Sequence, residues 1–445
     1  MKITQLDFPP IPALEGAMNI IQKLNQAGKL AYFAGGSVRD AVMGNNPSDI
    51  DMATSASPEE IISLFRRTVA VGKAFGVIVV IMGNYQYEVA TFRKDGLYVD
   101  GRRPIHIDFA SPEEDVMRRD FTVNGLLYNP LTRELMDYVG GMDDILTKTI
   151  RTIGNPEERF TEDKLRLLRC IRFAVRLDFQ IEKDTFRAVK KLSGSINEIS
   201  KERIASELEK ILTSRNPAAA VRLLDESGLL DQILPEVSRL KGVEQPEEFH
   251  PEGDVFEHTI KMLELGKDFT FPLALAVLLH DIGKPATQEF LDRIRFNLHE
   301  KEGAKMAALV CERLKLSNSI TERVCNLVLH HMRFKDVQKM KISTLKKFLR
   351  MDYFLEHLEL HRLDCLSSHG LLDNYHFCLQ KLQEFSEEKE ALKPEILLNG
   401  NDLKKLGLKP GPLYTVILSE LEDHQLENKI ASREQAISWI KEKYL

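Results

Sequence analysis

An α/β or α+β head followed by all-helical domains is the fold class this sequence predicts, and three observations predict it. Short β-like runs separated by Gly-, Pro- and Asp-rich turns fill the first 150 residues. From about Asp163 onward, apolar residues recur at three- and four-residue spacing, as in LRLLRCIRFAVRL and ERIASELEKILTS. The length of 445 residues exceeds one compact core and suggests about three domains at roughly 150 residues each.

Composition narrows the class. A hydrophobic fraction of 43% and a charged fraction of 29% are those of a folded globular chain and exclude a disordered or fibrous one. No run reaches the roughly 18 apolar residues a membrane helix needs. The opening MKITQLDFPPIPALEG lacks a basic flank followed by an apolar stretch, so neither a membrane nor a secretory route is expected. Cys170, Cys311, Cys325, Cys365 and Cys378 form no C-x-x-C pair, which predicts neither a disulfide framework nor a zinc ribbon and fits a reducing cytoplasm. With 61 basic and 67 acidic residues the net charge is −6, so any RNA site must be a local basic patch.

Taken in order, VIVVIM (Val77 to Met82) and YEVATF (Tyr87 to Phe92) read as strands. YFAGGSVRDAVMG sets Gly35 and Gly36 between an apolar run and a helix-like stretch, with Arg39 one turn in. Backbone amides at such a helix start hold phosphate, although a glycine pair is equally the mark of a tight turn. In SDIDMAT, Asp49 and Asp51 are two apart, so on a strand both carboxylates leave one face. Like charges so placed repel, and Mg²⁺ bridging them would relieve the repulsion and activate a hydroxyl; a capping role at a helix start explains the pair as well. MRRDFTVNGLLYNP gathers Arg118, Arg119, Asp120 and Asn124 at the start of a helix-like apolar run. Arginine's planar fork suits phosphate oxygens, with surface pairing to Asp115 and Asp120 as the alternative. Further on, a helix is expected to begin near Glu162 and Asp163, with Arg166, Arg169 and Arg172 fanning over one side. Asp163 and Arg166 offer an acceptor and a donor to a base edge, while Arg169 and Arg172 meet phosphate; blandly read, an acidic first turn precedes solvated arginines.

GGSVRD, DID, RRDFTVNG and EDKLRLLRCIRFA, in this order, resemble the bacterial class II tRNA nucleotidyltransferase and poly(A) polymerase family. ERIASELEKILTSRNPAAAVRLLDESGLLDQILPEV is similar to that family's neck and body. The resemblance implies a nucleotidyltransferase head of the DNA polymerase β type over residues 1–150 and a helical neck and body over 151–240. The implied activity is Mg²⁺-dependent addition of C and A, from CTP and ATP, to the tRNA 3′ end. It also implies that Asp49 and Asp51 are catalytic and hold Mg²⁺, and that Gly36, Arg39, Arg119, Asp163, Arg166, Arg169 and Arg172 bind the nucleotide, Asp163 and Arg166 as an amino-acid template. Glu88 on the YEVATF strand is available as a further carboxylate near the metal, and residues 93–104 look like the loop this family links to the switch from C to A. Full CCA addition, CC-only, A-only and poly(A) addition all remain open within the family.

A second constellation follows KGVEQPEEFHPEGD (Lys241 to Asp254), whose Glu, Pro and Gly content marks a linker. HPEGDVFEHTI supplies His258, and LALAVLLHDIGKPAT supplies His280, Asp281 and Lys284 at the end of a very apolar helix. His299, His330 and His331 come next, and HRLDCLSSHG adds Asp364. Imidazole and carboxylate together suit a divalent cation that keeps a position open for water. These residues resemble an HD-type metal phosphohydrolase domain, taken as 241–380. The resemblance implies His258, His280, Asp281 and Asp364 as ligands of a divalent transition metal, with Lys284 near the phosphate. A metal phosphohydrolase using its head only to grip RNA is therefore the rival function. In the last segment, 381–445, Lys409-Pro410-Gly411-Pro412 is a rigid turn opening a helix, and similarity to the family's tail implies a hold on the tRNA arm.

Overall fold

The computed structural model describes residues 1–72, 76–95, 107–245, 253–290, 294–387 and 392–445. The chain divides into two compact units, Met1–Pro235 and Glu236–Leu445. Most of the stretch matching the expected loop at 93–104, and residues 246–252 of the expected linker, lie outside the described residues.

The first unit is built on a mixed sheet. Its strands are β1 (Lys2–Gln5), β2 (Ala31–Ala34), β3 (Asp51–Thr54), β4 (Thr68–Gly72), β5 (Val77–Met82) and β6 (Tyr85–Thr91), with β7 (Arg93–Asp95) and β8 (Ile107–Phe109) paired apart from it, and then β9 (Leu126–Asn129) and β10 (Glu134–Asp137). The order is β1-β10-β9-β2-β3-β6-β5-β4, with β3 and β6 parallel and the other neighbours antiparallel. Both strands read from the sequence are present, joined by a tight turn in which Gly83 takes φ +59°, as a two-residue hairpin connection requires. The helix Leu14–Gln26 buries Ala17, Ile20, Ile21 and Leu24, the three- and four-residue spacing of a single apolar face.

Two local expectations are corrected. The apolar run after Asn124 is not a helix: Thr122–Asn124 make a single 3₁₀ turn, and Leu126–Asn129 is β9, central in the sheet with Leu126, Leu127 and Tyr128 buried. A short strand buried on both faces reads as an unbroken apolar run, which periodicity cannot tell from buried helix. Nor does one helix begin at Glu162. The helix Pro156–Glu162 ends there, Asp163 is extended (φ −137°, ψ 99°), and a second helix runs Arg166–Leu177. The true start signal was Asn155-Pro156, in which the Asn155 side chain accepts from Glu157 N at 3.0 Å and proline occupies the first helical position.

The second unit is mostly helical, yet a short antiparallel hairpin, Gln288–Phe290 with Ile294–Phe296, departs from the all-helix expectation. The helix Phe271–Leu279 buries Phe271 and every residue from Leu273 to Leu279 and delivers His280 at its C-terminal end. A cluster of Phe334, Phe348, Phe354, Leu358, Cys378 and Phe385 forms one core. Because Cys378 and Phe385 belong to it, the helix Asp373–Glu387 runs through the boundary expected at 380/381, and the tail's own core begins at Leu398, with Leu403, Ile417, Leu421 and Ile440. All five cysteines are free thiols. Among the described residues no helix is long and apolar enough to cross a membrane.

Candidate active sites

In the first unit, β2 ends at Ala34 and the helix Gly36–Val42 follows, with Gly35 between them at φ +69°, a conformation that favours glycine. A Cβ on Gly35 would stand 3.4 Å from Arg119 Nη1 and 3.9 Å from Asp51 Oδ2, so the turn brings bare backbone against a guanidinium and a carboxylate. Asp51 opens β3, opposite Ala34. Asp49 sits in the bend before the strand rather than on it, but both carboxylates line the same cavity. Burial first, then the charges of Asp49 and Glu88, push the Asp51 carboxyl up to about 6, against the pull of Arg119. A divalent cation relieves that repulsion, and an all-carboxylate donor set suits a hard ion such as Mg²⁺.

The cavity, roughly 530 Å³, is walled by Gly36, Arg39, Arg118, Arg119, Asp163, Arg166, Arg169 and Arg172, so every residue expected to meet the nucleotide faces it. Each of these guanidinium groups is held from behind. Buried Arg39 donates to Asp40 and, at 2.6 Å, to Asn124 Oδ1. Arg118 and Arg119 share the two oxygens of Asp115, which is fully buried. Arg166 donates to the carbonyls of Arg118 (2.7 Å) and Arg159 (3.1 Å) and to Glu162 (3.1 Å). Arg169 pairs with Asp120, and Arg172 with Glu207 at 2.9 Å. Asp163 is held more loosely, 3.3 Å from Arg203. Burial alone would raise the Asp120 carboxyl, but Arg169, the Asn124 amide and the Phe121 N–H hold it at about 2. Phe173 and Arg176 are lining residues that were not anticipated. Phe173 underlies Arg39, Arg169 and Arg172, whose guanidinium carbons lie 5.6, 5.3 and 4.5 Å from its ring centre. Arg176 follows one turn beyond Arg172. An aromatic amid arginines at helical spacing was the available signal for both.

The second unit gathers imidazoles. His258 Nε2 lies 3.2 Å from Asp364 Oδ1, and His280 Nε2 lies 3.0 Å from Asp281 Oδ2, so the four expected ligands stand together. His258, His280 and Asp364 form one group able to hold a metal ion; Asp281, His299 and His331 form another. His299 and His331 are thus additions to the expected set. The sequence could not tell His331 from its neighbour: His331 is buried against His299, whereas His330 faces His357. His361, another of the histidines crowded here, stacks on Phe334 at 4.4 Å and packs rather than converging. Lys284 is buried and donates to Asp281 and Gln245, both at 2.6 Å. Burial, then His299 and His280, depress His331 to about 3, while Asp281 and Asp364 are held well below the usual carboxylate range by the rings and Lys284 around them. Buried His280 Nε2 makes no hydrogen bond, as expected of an atom shaped for a metal. Imidazole-rich donors suit a divalent transition ion rather than Mg²⁺.

Packing explains how His299 reaches the site. Gly283 follows the His280-Asp281 pair, and a Cβ there would meet His299 O at 2.2 Å and Gly303 N at 2.7 Å. Only a glycine lets the helix His299–Arg313 lie against this turn.

A mixed sheet bearing a carboxylate pair beneath an arginine-walled cavity defines a nucleotidyltransferase, here joined to a unit of HD type. Residues 31–151 match the Poly A polymerase head domain, 178–240 the probable RNA and SrmB-binding site of polymerase A, and 255–359 the HD domain. The chain is 33% identical over 427 residues to a CCA-adding enzyme of Streptococcus suis, covering 95% of this chain and 94% of that one. It is 31% identical over 437 residues to one of Staphylococcus epidermidis, covering 96% and 97%. Its fold is similar to that of the Bacillus stearothermophilus CCA-adding enzyme in complex with CTP, at a TM-score of 0.74 and 26% identity over 98% of each chain. The chain belongs to the family of CCA-adding enzymes.

Proposed function

We propose that this chain completes the 3′ end of tRNA by adding C and A from CTP and ATP. The observation that carries the reading is the meeting, in one cavity, of Asp49 and Asp51 with the base-edge pair Asp163 and Arg166. Asp49 and Asp51 would hold Mg²⁺, which when bound neutralises phosphate charge and eases deprotonation of the attacking hydroxyl. Gly36, Arg39, Arg119, Arg169 and Arg172 orient the triphosphate, their forks fixed in advance by internal partners. Arg166 donates to the acceptor edge of cytosine and Asp163 accepts from an exocyclic amine, which admits C or A and leaves G or U with unmatched groups. The tRNA 3′-hydroxyl attacks the α-phosphorus in line, a new P–O bond forms, and the bond to the β-phosphate breaks to release pyrophosphate.

On this reading 1–150 is the catalytic head and 151–240 presents the base-reading helix. The region from 241 to about 390 is the HD domain, with His258, His280, Asp281 and Asp364 as ligands of a divalent transition ion, and the tail holds the tRNA arm. Free cysteines throughout fit work in the cytoplasm. The intact HD ligand set favours a second, phosphohydrolase activity alongside the first.

Labelled CTP and ATP, offered with Mg²⁺ to a tRNA transcript lacking its terminal CCA, test the proposal. Incorporation should require both carboxylates and vanish in Asp49→Ala with Asp51→Ala; incorporation that survives this double change overturns the assigned chemistry.

A further inference from the structure

We infer that Phe173 is a positioning residue for the triphosphate: its ring gathers Arg39, Arg169 and Arg172 into one grip that serves CTP and ATP alike and takes no part in choosing the base. This rests on the reading of those three arginines as triphosphate-binding and extends it.

Two separate elements meet over this ring. Arg39 comes from the helix Gly36–Val42, and its Nη2 stands 3.5 Å from where a Cβ on Gly36 would lie, so it sits against the Gly35-Gly36 turn. Arg169, Arg172 and Phe173 itself belong to the helix Arg166–Leu177. All three guanidinium carbons fall inside the roughly 6 Å over which a cation is drawn to the face of an aromatic ring. Without a ligand these cations repel one another. Burial lowers the Arg172 guanidinium below its ordinary value; Glu207 opposes the shift, and the Arg169 charge adds to it. Each arginine has its own internal partner: Asp40 and Asn124 for Arg39, Asp120 for Arg169, Glu207 for Arg172. The Phe173 ring is common to all three.

The ring is itself held in place. Phe173 is buried and meets Phe121 edge to face, with centroids 5.7 Å apart and planes at 73°. Phe121 directly follows Asp120, the partner of Arg169, so the aromatic pair ties the Arg118-Arg119-Asp120 turn to the helix that carries the cavity's arginines. An aliphatic side chain would fill the same volume, but it would set plain apolar surface against three charged groups, one of them the buried Arg39. An aromatic face carries the negative potential that draws the three together. Arg166, the donor to the base edge, is held instead by the carbonyls of Arg118 and Arg159. The ring therefore bears on the phosphate side of the cavity and not on the choice of base.

Fluorination separates charge from shape. Replacing Phe173 in the full chain by 4-fluoro-, 3,5-difluoro- and 3,4,5-trifluorophenylalanine nearly keeps the outline of the ring, so folding is not at issue, while draining negative potential from its face. Equilibrium binding of CTP and of ATP is then measured with Mg²⁺ present. Kd should rise at each step for both nucleotides by the same factor, about tenfold over the whole series, while the preference for C and A over G and U stays unchanged. A flat or falling series, on an unaltered protein that binds both nucleotides, overturns the proposal and leaves the ring as packing alone. Unequal rises for CTP and ATP overturn it as well, since the ring would then bear on the base. No binding of either nucleotide by the unaltered protein overturns instead the triphosphate reading on which the proposal rests.

Discussion

The two cavities solve opposite electrostatic problems. In the head, each arginine expected to meet the nucleotide already has an internal partner, and the metal-type carboxylates stand near solvent with one of them, Asp51, pushed up to about 6 by burial and its acidic neighbours. In the HD unit, each converging imidazole is anchored through Nδ1, to a carbonyl or to Ser367 Oγ, and points its other nitrogen at a buried centre. The head offers braced arginine forks and a carboxylate pair to a charged ligand; the HD site turns its imidazole and carboxylate acceptors toward a buried centre able to hold a metal ion. A transferase must release product and take up a new nucleotide at each addition, whereas a resident metal centre has no such need.

The largest effect is expected at the carboxylates. Replacing Asp49 and Asp51 by alanine should lower labelled-nucleotide incorporation by about a thousandfold or more, since positioning and charge neutralisation supply nearly all of the catalysis. A single-turnover assay on tRNA ending at the discriminator base checks it. Next in size is Gly283→Ala. Its Cβ would meet backbone at 2.2 Å, so the helix carrying His299 must shift, which should cost about 3 kcal/mol in the unfolding of the second unit and release its metal. Calorimetry with metal analysis reads both, and incorporation by the head should persist.

Asp120→Asn sharpens the head's side of the contrast. The Asp120 carboxyl is depressed from its ordinary 3.8 to about 2, so the Arg169 charge together with the Asn124 and Phe121 hydrogen bonds to its ionised form stabilises the fold by roughly 2 kcal/mol above pH 4. Because the folded value is the lower one, that contribution is lost as pH falls from about 4 through 2. Denaturation at pH 7 should separate wild type from the variant by this amount, and the gap should close toward pH 2. The smallest effect concerns selection. Arg166→Ala should narrow the preference for C and A over G and U by about tenfold, measured as a ratio of kcat/KM values.

Much of this was legible in the sequence because motif residues carry their chemistry in their spacing. Gly35-Gly36, the Asp49/Asp51 pair and the arginines at 166, 169 and 172 line the head cavity, and His280-Asp281 at the end of an apolar helix supply one member to each of the two groups able to hold a metal ion. What escaped depends on tertiary contact. β9 read as helix because burial on both faces erases alternation. His299 and His331 were visible but unassignable, since which of two adjacent histidines turns inward is set by helix packing, and that packing turns on Gly283 and on the left-handed Leu298. The break at Asp163 was hidden because the charge pattern continues across it while the backbone does not.

CCA addition by this chain is read by counting residues added to a tRNA transcript that ends at the discriminator base, given CTP and ATP together with Mg²⁺ and resolved at single-nucleotide length. Three additions, C, C and A, and then arrest are expected. Arrest after two with CTP present, or an extended A tail, would contradict CCA addition.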